Sequence, residues 1–277
     1  MMLSKGRTTF HAALAVIFLF GVAGFTAAQT TTQTATTSSS GSKGSEITVE
    51  EAYLQESLET MVISEQSHSD NKDMKLVALQ YIKQAIDGGR KNAEIQKSLS
   101  YLALEGTNIV TRTGGYGRPT NDYPDIRAKA CDYLGEFPSV ESKDALVKVA
   151  LTDAEPMVLS ASIRSLGKIA MNENDEVTQI ISFLVNRYDV IGPDNSLAFE
   201  SLVALERIAD KQNGIKDPAA IRAVMRIATG NYIKPVKDKA NDLLGKLRKY
   251  SGSASSGNSA NSSTSGKATT SSQGSGK

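Results

Sequence analysis

The chain has no tryptophan, one cysteine and two histidines among its 277 residues. A lone thiol, Cys131, rules out an internal disulfide framework. His11 falls in the apolar N-terminal segment read below as removed, and the one His left, His68, and the one Cys, far apart in sequence, cannot supply the usual nitrogen and sulfur ligands of zinc. No metal or other cofactor is expected. Neither sign of charge is in excess, with 31 Lys and Arg against 30 Asp and Glu. Nucleic-acid affinity rests on many basic side chains meeting phosphates, so this balance speaks against a nucleic-acid partner. Alternating apolar and polar runs are also missing, and nothing reads as a strand.

One long apolar run is present, at the start. Lys5 and Arg7 precede Ala12–Phe25, and Thr26-Ala27-Ala28 supplies small residues before Gln29. Residues 1–28 therefore read as an export signal, placing the mature chain in the periplasm or outside the cell. Phe10–Ala28 spans 19 residues, close to the roughly 20 that cross a bilayer, so an uncleaved N-terminal anchor is the alternative. After cleavage no integral membrane role is expected. Without Lys5 and Arg7 the basic count becomes 29 against 30 acidic residues, a net charge of −1.

Residues 29–45 are rich in Thr and Ser, and 251–277 are almost wholly Ser, Gly, Ala, Asn, Thr and Gln. Such segments cannot bury enough apolar surface to offset their ordering entropy, so both are expected to be disordered. The folded part is then 46–250, long enough for one continuous core. Its apolar residues fall at helical spacing, as in Ile180, Ile181, Leu184 and Val185, or Ile221, Val224, Ile227 and Ala228. Turn signals such as Asp87-Gly88-Gly89, Gly192-Pro193-Asp194-Asn195 and Asp217-Pro218 separate these stripes.

A motif recurs five times within this region. Its clearest copy is Ile126-Arg127-x-x-Ala130-x-x-Tyr133-Leu134-Gly135. Others run Val158, Ser162, Ser165, Leu166, Gly167 and Val236, Lys237, Ala240, Leu243, Leu244, Gly245, with looser copies starting at Met74 and Leu197. The starts at 74, 126, 158, 197 and 236 are spaced by 52, 32, 39 and 39 residues. A period near forty suits a helical hairpin that cannot bury its apolar face alone and stacks on its neighbours. The spacing of 52 marks an insertion in the second unit. Small residues at Ala78, Ala130, Ser162, Ser201 and Ala240 would let adjacent helices approach, and the glycines would relieve crowding.

The copies at Asp125-Ile126-Arg127 through Gly135 and Pro156-Met157-Val158 through Gly167 resemble the second helix of HEAT repeats, whose pattern is close to Val-Arg-x-x-Ala-x-x-Ala-Leu-Gly. The resemblance covers 71–250. It departs where Leu159 and Ala198 replace the Arg, and where Lys83 and Glu206 replace the Gly. It implies an all-α, right-handed α-solenoid of about five helical hairpins, with second helices commonly lining the concave side.

Candidates for chemistry are few. Ser67-His68-Ser69-Asp70 holds the residue types of a triad, but neighbours in one stretch rarely converge as a triad requires. Asn172-Glu173-Asn174-Asp175-Glu176 lacks calcium-loop spacing and reads as a turn that sets carboxylates near a helix N-terminus. No catalytic residue is expected, and the chain reads as non-enzymatic. Cys131 aligns with Leu79, Ile163, Leu202 and Asn241 in the other copies, so it is expected to be a small buried hydrophobe.

Two surfaces remain for a partner. The insertion 106–123 carries Arg112, Tyr116, Arg118 and Tyr123 among glycines, and Tyr with Arg is a pairing favoured at interface hot spots. The motif helices offer positions expected to be exposed, among them Lys75, Arg127, Lys129, Asp132, Arg164, Lys168, Glu200, Arg207, Lys237, Lys239 and Asp242. Arg127 and Arg164 join the four loop residues as candidate partner-binding groups. The expected function is an exported scaffold or adaptor for another protein of the cell envelope. The alternative is an accessory or regulatory subunit of an envelope enzyme, with the loop reaching an active site or a small ligand.

Overall fold

The computed structural model of the chain describes residues 48–108, 110–112, 117 and 119–256. The expected export signal, the 29–45 linker, the tail from 257 onward, and loop residues Tyr116 and Arg118 lie outside the described residues. Ten α-helices are described: α1 (Val49–Ser67), α2 (Lys72–Asp87), α3 (Ala93–Leu104), α4 (Pro124–Leu134), α5 (Val140–Thr152), α6 (Pro156–Ile169), α7 (Glu176–Ile191), α8 (Asn195–Gln212), α9 (Pro218–Thr229) and α10 (Lys234–Ser256). A single 3₁₀ turn, Glu173–Asp175, precedes α7.

The helix starts follow from local chemistry. Asn71, Asn92, Ser139, Asp194 and Asp217 each accept a first-turn backbone N–H with their side chains. Such caps satisfy donors that the helix itself leaves unpaired. Pro124, Pro156 and Pro218 occupy first helical positions, where a missing N–H costs nothing. Helix α10 runs on through Ser256, past the boundary at Tyr250 that composition indicates. Propagating a formed helix costs little until a breaker stops it, and no proline follows Pro235.

Consecutive helices pair into five hairpins, α1–α2, α3–α4, α5–α6, α7–α8 and α9–α10. The first helices α1, α3, α5, α7 and α9 pack in order on one another, and the second helices α2, α4, α6, α8 and α10 do likewise. The result is an all-α, two-layer helical-repeat solenoid with its core between the layers.

All five motif copies lie on second helices. Ala78, Ala130, Ser162, Ser201 and Ala240 are fully buried at the contact between layers. Leu134, Leu166 and Leu205 fill the space beside them, each burial worth roughly 1.5–3 kcal/mol. The glycines divide by position. A Cβ on Gly167 would stand 2.5 Å from Ala204 Cα, and one on Gly135 would stand 2.7 Å from Ser165 Oγ. Both admit the next second helix. Gly245 has open space around it, α10 being the last helix among the described residues. The opposite end departs similarly: Met74, at the motif's first apolar position, is exposed, α1–α2 being the first hairpin among the described residues.

Candidate functional site

The insertion leaves α3 at Glu105 and returns at Tyr123. Gly106 has φ +82, and a Cβ there would meet Asn121 O at 2.8 Å and Arg127 Nη1 at 2.9 Å. Only glycine fits that turn without strain. The two limbs are tied together: Thr120 N–H donates to Thr111 O at 2.9 Å, and Thr111 N–H donates to Asn121 Oδ1 at 3.0 Å. An isolated antiparallel bridge joins Arg112 and Pro119. The exposed Arg112 donates through Nη1 to Gly117 O at 3.0 Å. Tyr123 is half-buried against the core at the start of α4, with Lys72 Nζ 5.5 Å from its ring centroid. Lys72 also pairs with Asp125 at 3.0 Å.

Two positions expected on the surface are interior. Lys75 is fully buried, with Nζ donating to Glu105 Oε1 at 2.8 Å and to Ser67 O at 3.1 Å. Arg127 is also buried. Its Nε donates to Asp153 Oδ2 at 2.7 Å and its Nη1 to Asp122 Oδ1 at 2.6 Å, with Glu105 O a further acceptor at 3.4 Å. Burial opposes the Arg127 charge, but the hydrogen bonds and charges of Asp153 and Asp122 outweigh it and raise its pKa. The reason for the misplacement is the register. Both residues follow the motif's first apolar position, and the same column holds the buried Leu159 and Ala198 in other copies. Those apolar replacements are the signal that marks the column as inward. Arg127 is therefore a strut between hairpins at the base of the insertion and is not available to a partner.

Arg164 does face the surface. Its guanidinium bridges neighbouring second helices, to Asp132 at 2.7 Å on α4 and Glu200 at 3.1 Å on α8. Burial raises the Asp132 carboxyl against the opposing pull of Arg164. Lys168 pairs with Glu136 in the same direction. Beside Arg164 lies a shallow groove of about 420 Å³ lined by Asp125, Lys129, Asp132, Met157, Arg164 and Asp194. Met157 stands exposed in it. Asp125 adjoins Tyr123, so the foot of the insertion borders the groove. Arg112, Tyr123, Arg127 and Arg164 consequently do not converge: one lies on the loop, one at its foot, one inside the stack and one on the groove.

The remaining candidates have structural placements. His68 caps the C-terminus of α1, its Nδ1 2.7 Å from Ser64 O and its ring 4.1 Å from that of Tyr101. The imidazole is thus engaged with its own helix end. Cys131 is fully buried, and desolvation pushes its thiol far above the usual range. Asn172 is buried at the turn before α7, where its Oδ1 accepts from Val177 N at 3.0 Å and Thr178 N at 3.1 Å. No group of three or more His, Cys, Asp or Glu among the described residues could hold a metal ion.

A family model described as HEAT repeats matches residues 120–190, from the last turn of the insertion nearly to the end of α7. No curated protein matches the sequence. Residues 120–190 are thus similar to HEAT repeats, and the hairpins stacked on both sides of that stretch share its two-layer architecture.

Proposed function

We propose that this HEAT-repeat chain is an exported, non-enzymatic scaffold or adaptor that holds another protein of the cell envelope along its second-helix face. HEAT repeats in general serve as protein-interaction surfaces. The observation that carries the reading here is the groove between α4, α6 and α8. It sets an exposed Met157 among charges of both signs, Lys129 and Arg164 beside Asp125, Asp132 and Asp194. An apolar anchor within a polar rim is the usual anatomy of a protein interface. The balanced charge of the groove suits a polypeptide better than a polyanion. Export is supported by the basic start, apolar run and small-residue site in 1–28. The insertion borders the groove and would add Arg112, Tyr116 and Arg118 to the contact.

The test is cross-linking of the tagged protein in intact source cells, followed by identification of what co-purifies. The comparison is between wild type, a Met157→Asp/Lys129→Glu variant and an Arg112→Ala/Tyr116→Ala/Arg118→Ala variant. One stoichiometric envelope protein, lost in the groove variant, is expected. Loss in the loop variant as well would place the insertion in the contact. Undiminished capture in the groove variant would refute the assigned face. Recovery of the protein only from the cytoplasm with its first 28 residues intact would refute export.

A further inference from the structure

The two ends of the array are unlike the caps of a free-standing solenoid, whose terminal repeats present polar outer faces. At the N-terminal end, α1 leaves Tyr53, Leu54, Leu58 and Met61 each more than half exposed. A groove of about 810 Å³ runs between α1 and α2, lined by Val49, Tyr53, Leu58, Val62, Tyr81 and Arg90. Contiguous exposed apolar surface of this kind marks an interaction site. Helix α1 also carries Glu50, Glu51, Glu56, Glu59 and Glu65 and no basic residue.

The C-terminal end has the opposite charge. Residues 218–250 contain eight Lys and Arg against Asp238 and Asp242. Helix α9 has Arg222 and Arg226 and no acidic residue. Among the described residues Arg222, Lys237 and Arg248 enter no salt bridge, while Met225 and Ile233 add exposed apolar surface. Gly245 keeps the position at which Gly135 and Gly167 receive the next second helix, yet nothing lies within 4 Å of a Cβ built there. The last hairpin therefore retains a receiving surface.

We propose that a second copy of this chain docks on that surface, the first hairpin of one copy continuing the stack of α9 and α10 of another, head to tail. The step that carries each hairpin onto the next would set a new first helix against α9 and a new second helix against α10. In a second copy α1 and α2 are the helices whose matching faces are open, and the acid of α1 then meets Arg222 of α9, since Arg226 is held by Asp189 of α7 at 3.6 Å. The chain's own C-terminal segment is a poor occupant, because residues 257–277 hold no apolar side chain larger than alanine. An interface made from two different patches does not use itself up, so assembly proceeds to open chains or closes as a ring.

Analytical ultracentrifugation of the purified protein with no partner added tests this independently of the envelope reading. Wild type is expected to show sedimentation that rises with concentration and falls at high salt. Leu58→Asp blocks the first end, and Gly245→Leu or Arg222→Glu blocks the second. All three sites are exposed, and a wild-type circular-dichroism spectrum confirms folding. Each variant alone is expected to associate about tenfold or more weakly. Mixing Leu58→Asp with Gly245→Leu is expected to give a 1:1 dimer and nothing larger, since one good end survives on each chain. A Gly245→Leu protein that still dimerises by itself would show an end-to-like-end pairing through α1 and overturn the proposal. So would a wild type that stays monomeric at every concentration.

Discussion

Replacing Gly167 by alanine should destabilise the protein, although alanine is the better helix former. The added Cβ would stand 2.5 Å from Ala204 Cα and 2.6 Å from Ala204 Cβ. Carbon atoms sit comfortably about 3.5–4.0 Å apart, so α6 and α8 must separate by about 1 Å. No rotamer change can relieve the contact, because the opposing atoms are backbone and Cβ. Overpacking of this sort costs about 1–3 kcal/mol, against which the propensity gain of about 1 kcal/mol acts. The expected net loss is up to about 2 kcal/mol, or up to roughly 8 °C in Tm for a domain of this size. Gly245→Ala is the matched control. It adds the same methyl within a helix where nothing stands within 4 Å, so it should gain up to about 1 kcal/mol. Gly135→Ala falls between, because its nearest neighbour is the Ser165 hydroxyl, which can rotate away. Thermal and urea melts followed by circular dichroism on dilute protein measure all three. A Gly167→Ala protein at least as stable as wild type, or a Gly245→Ala protein clearly less stable, would refute the claim that the motif glycine serves helix approach.

Asp153→Ala should cost about 3–5 kcal/mol in a urea melt, since it strands the buried Arg127 charge; a loss under about 1 kcal/mol would mean that water or Asp122 compensates. Lys75→Met alone should be comparably damaging by leaving Glu105 unpaired, whereas Lys75→Met/Glu105→Leu should recover most of the loss. Hydrogen bonding from Lys168 lowers the Glu136 pKa, and hydrogen bonding from Lys239 lowers that of Glu206. Depressed carboxylates contribute stability that is fully present above the unfolded value of about 4.3 and is lost as pH falls through the folded value. Urea midpoints should therefore decline on acidification below about pH 5, and less so in Glu136→Gln/Glu206→Gln. The Cys131 thiol, buried and held protonated, should resist iodoacetamide in the native protein and react on unfolding.

The architecture was legible because the motif's spacing sets a small residue on the inner face of every second helix, and all five of those residues are fully buried. The insertion was legible from the longest spacing, 52 residues against a period near forty. What sequence reasoning missed was which charges point inward. A Lys or Arg one step past an apolar position reads as solvated, yet Lys75 and Arg127 meet Glu105 and Asp153 from 30 and 26 residues away. Charge patterning within one helix cannot reveal partners that tertiary packing supplies. Alignment of the copies could have done so, since Leu159 and Ala198 occupy the same column. The ends were missed for a related reason: α1 precedes the first motif copy, so no repeat register warned that Leu54, Leu58 and Met61 would lack a neighbour.

The buried ionic struts are unevenly distributed along the chain. Lys75–Glu105 and Arg127–Asp153 fasten the first three hairpins, while the last two rely on apolar packing and on partly exposed pairs such as Lys239–Glu206 and Lys246–Asp210. Each hairpin holds only its neighbours, so a pull on the ends is resisted locally. Under tension the C-terminal hairpins should let go first, each 39-residue period paying out a contour of about 130 Å, while the N-terminal three stay folded. A stack built this way lengthens in steps under load and shortens again when the load is removed.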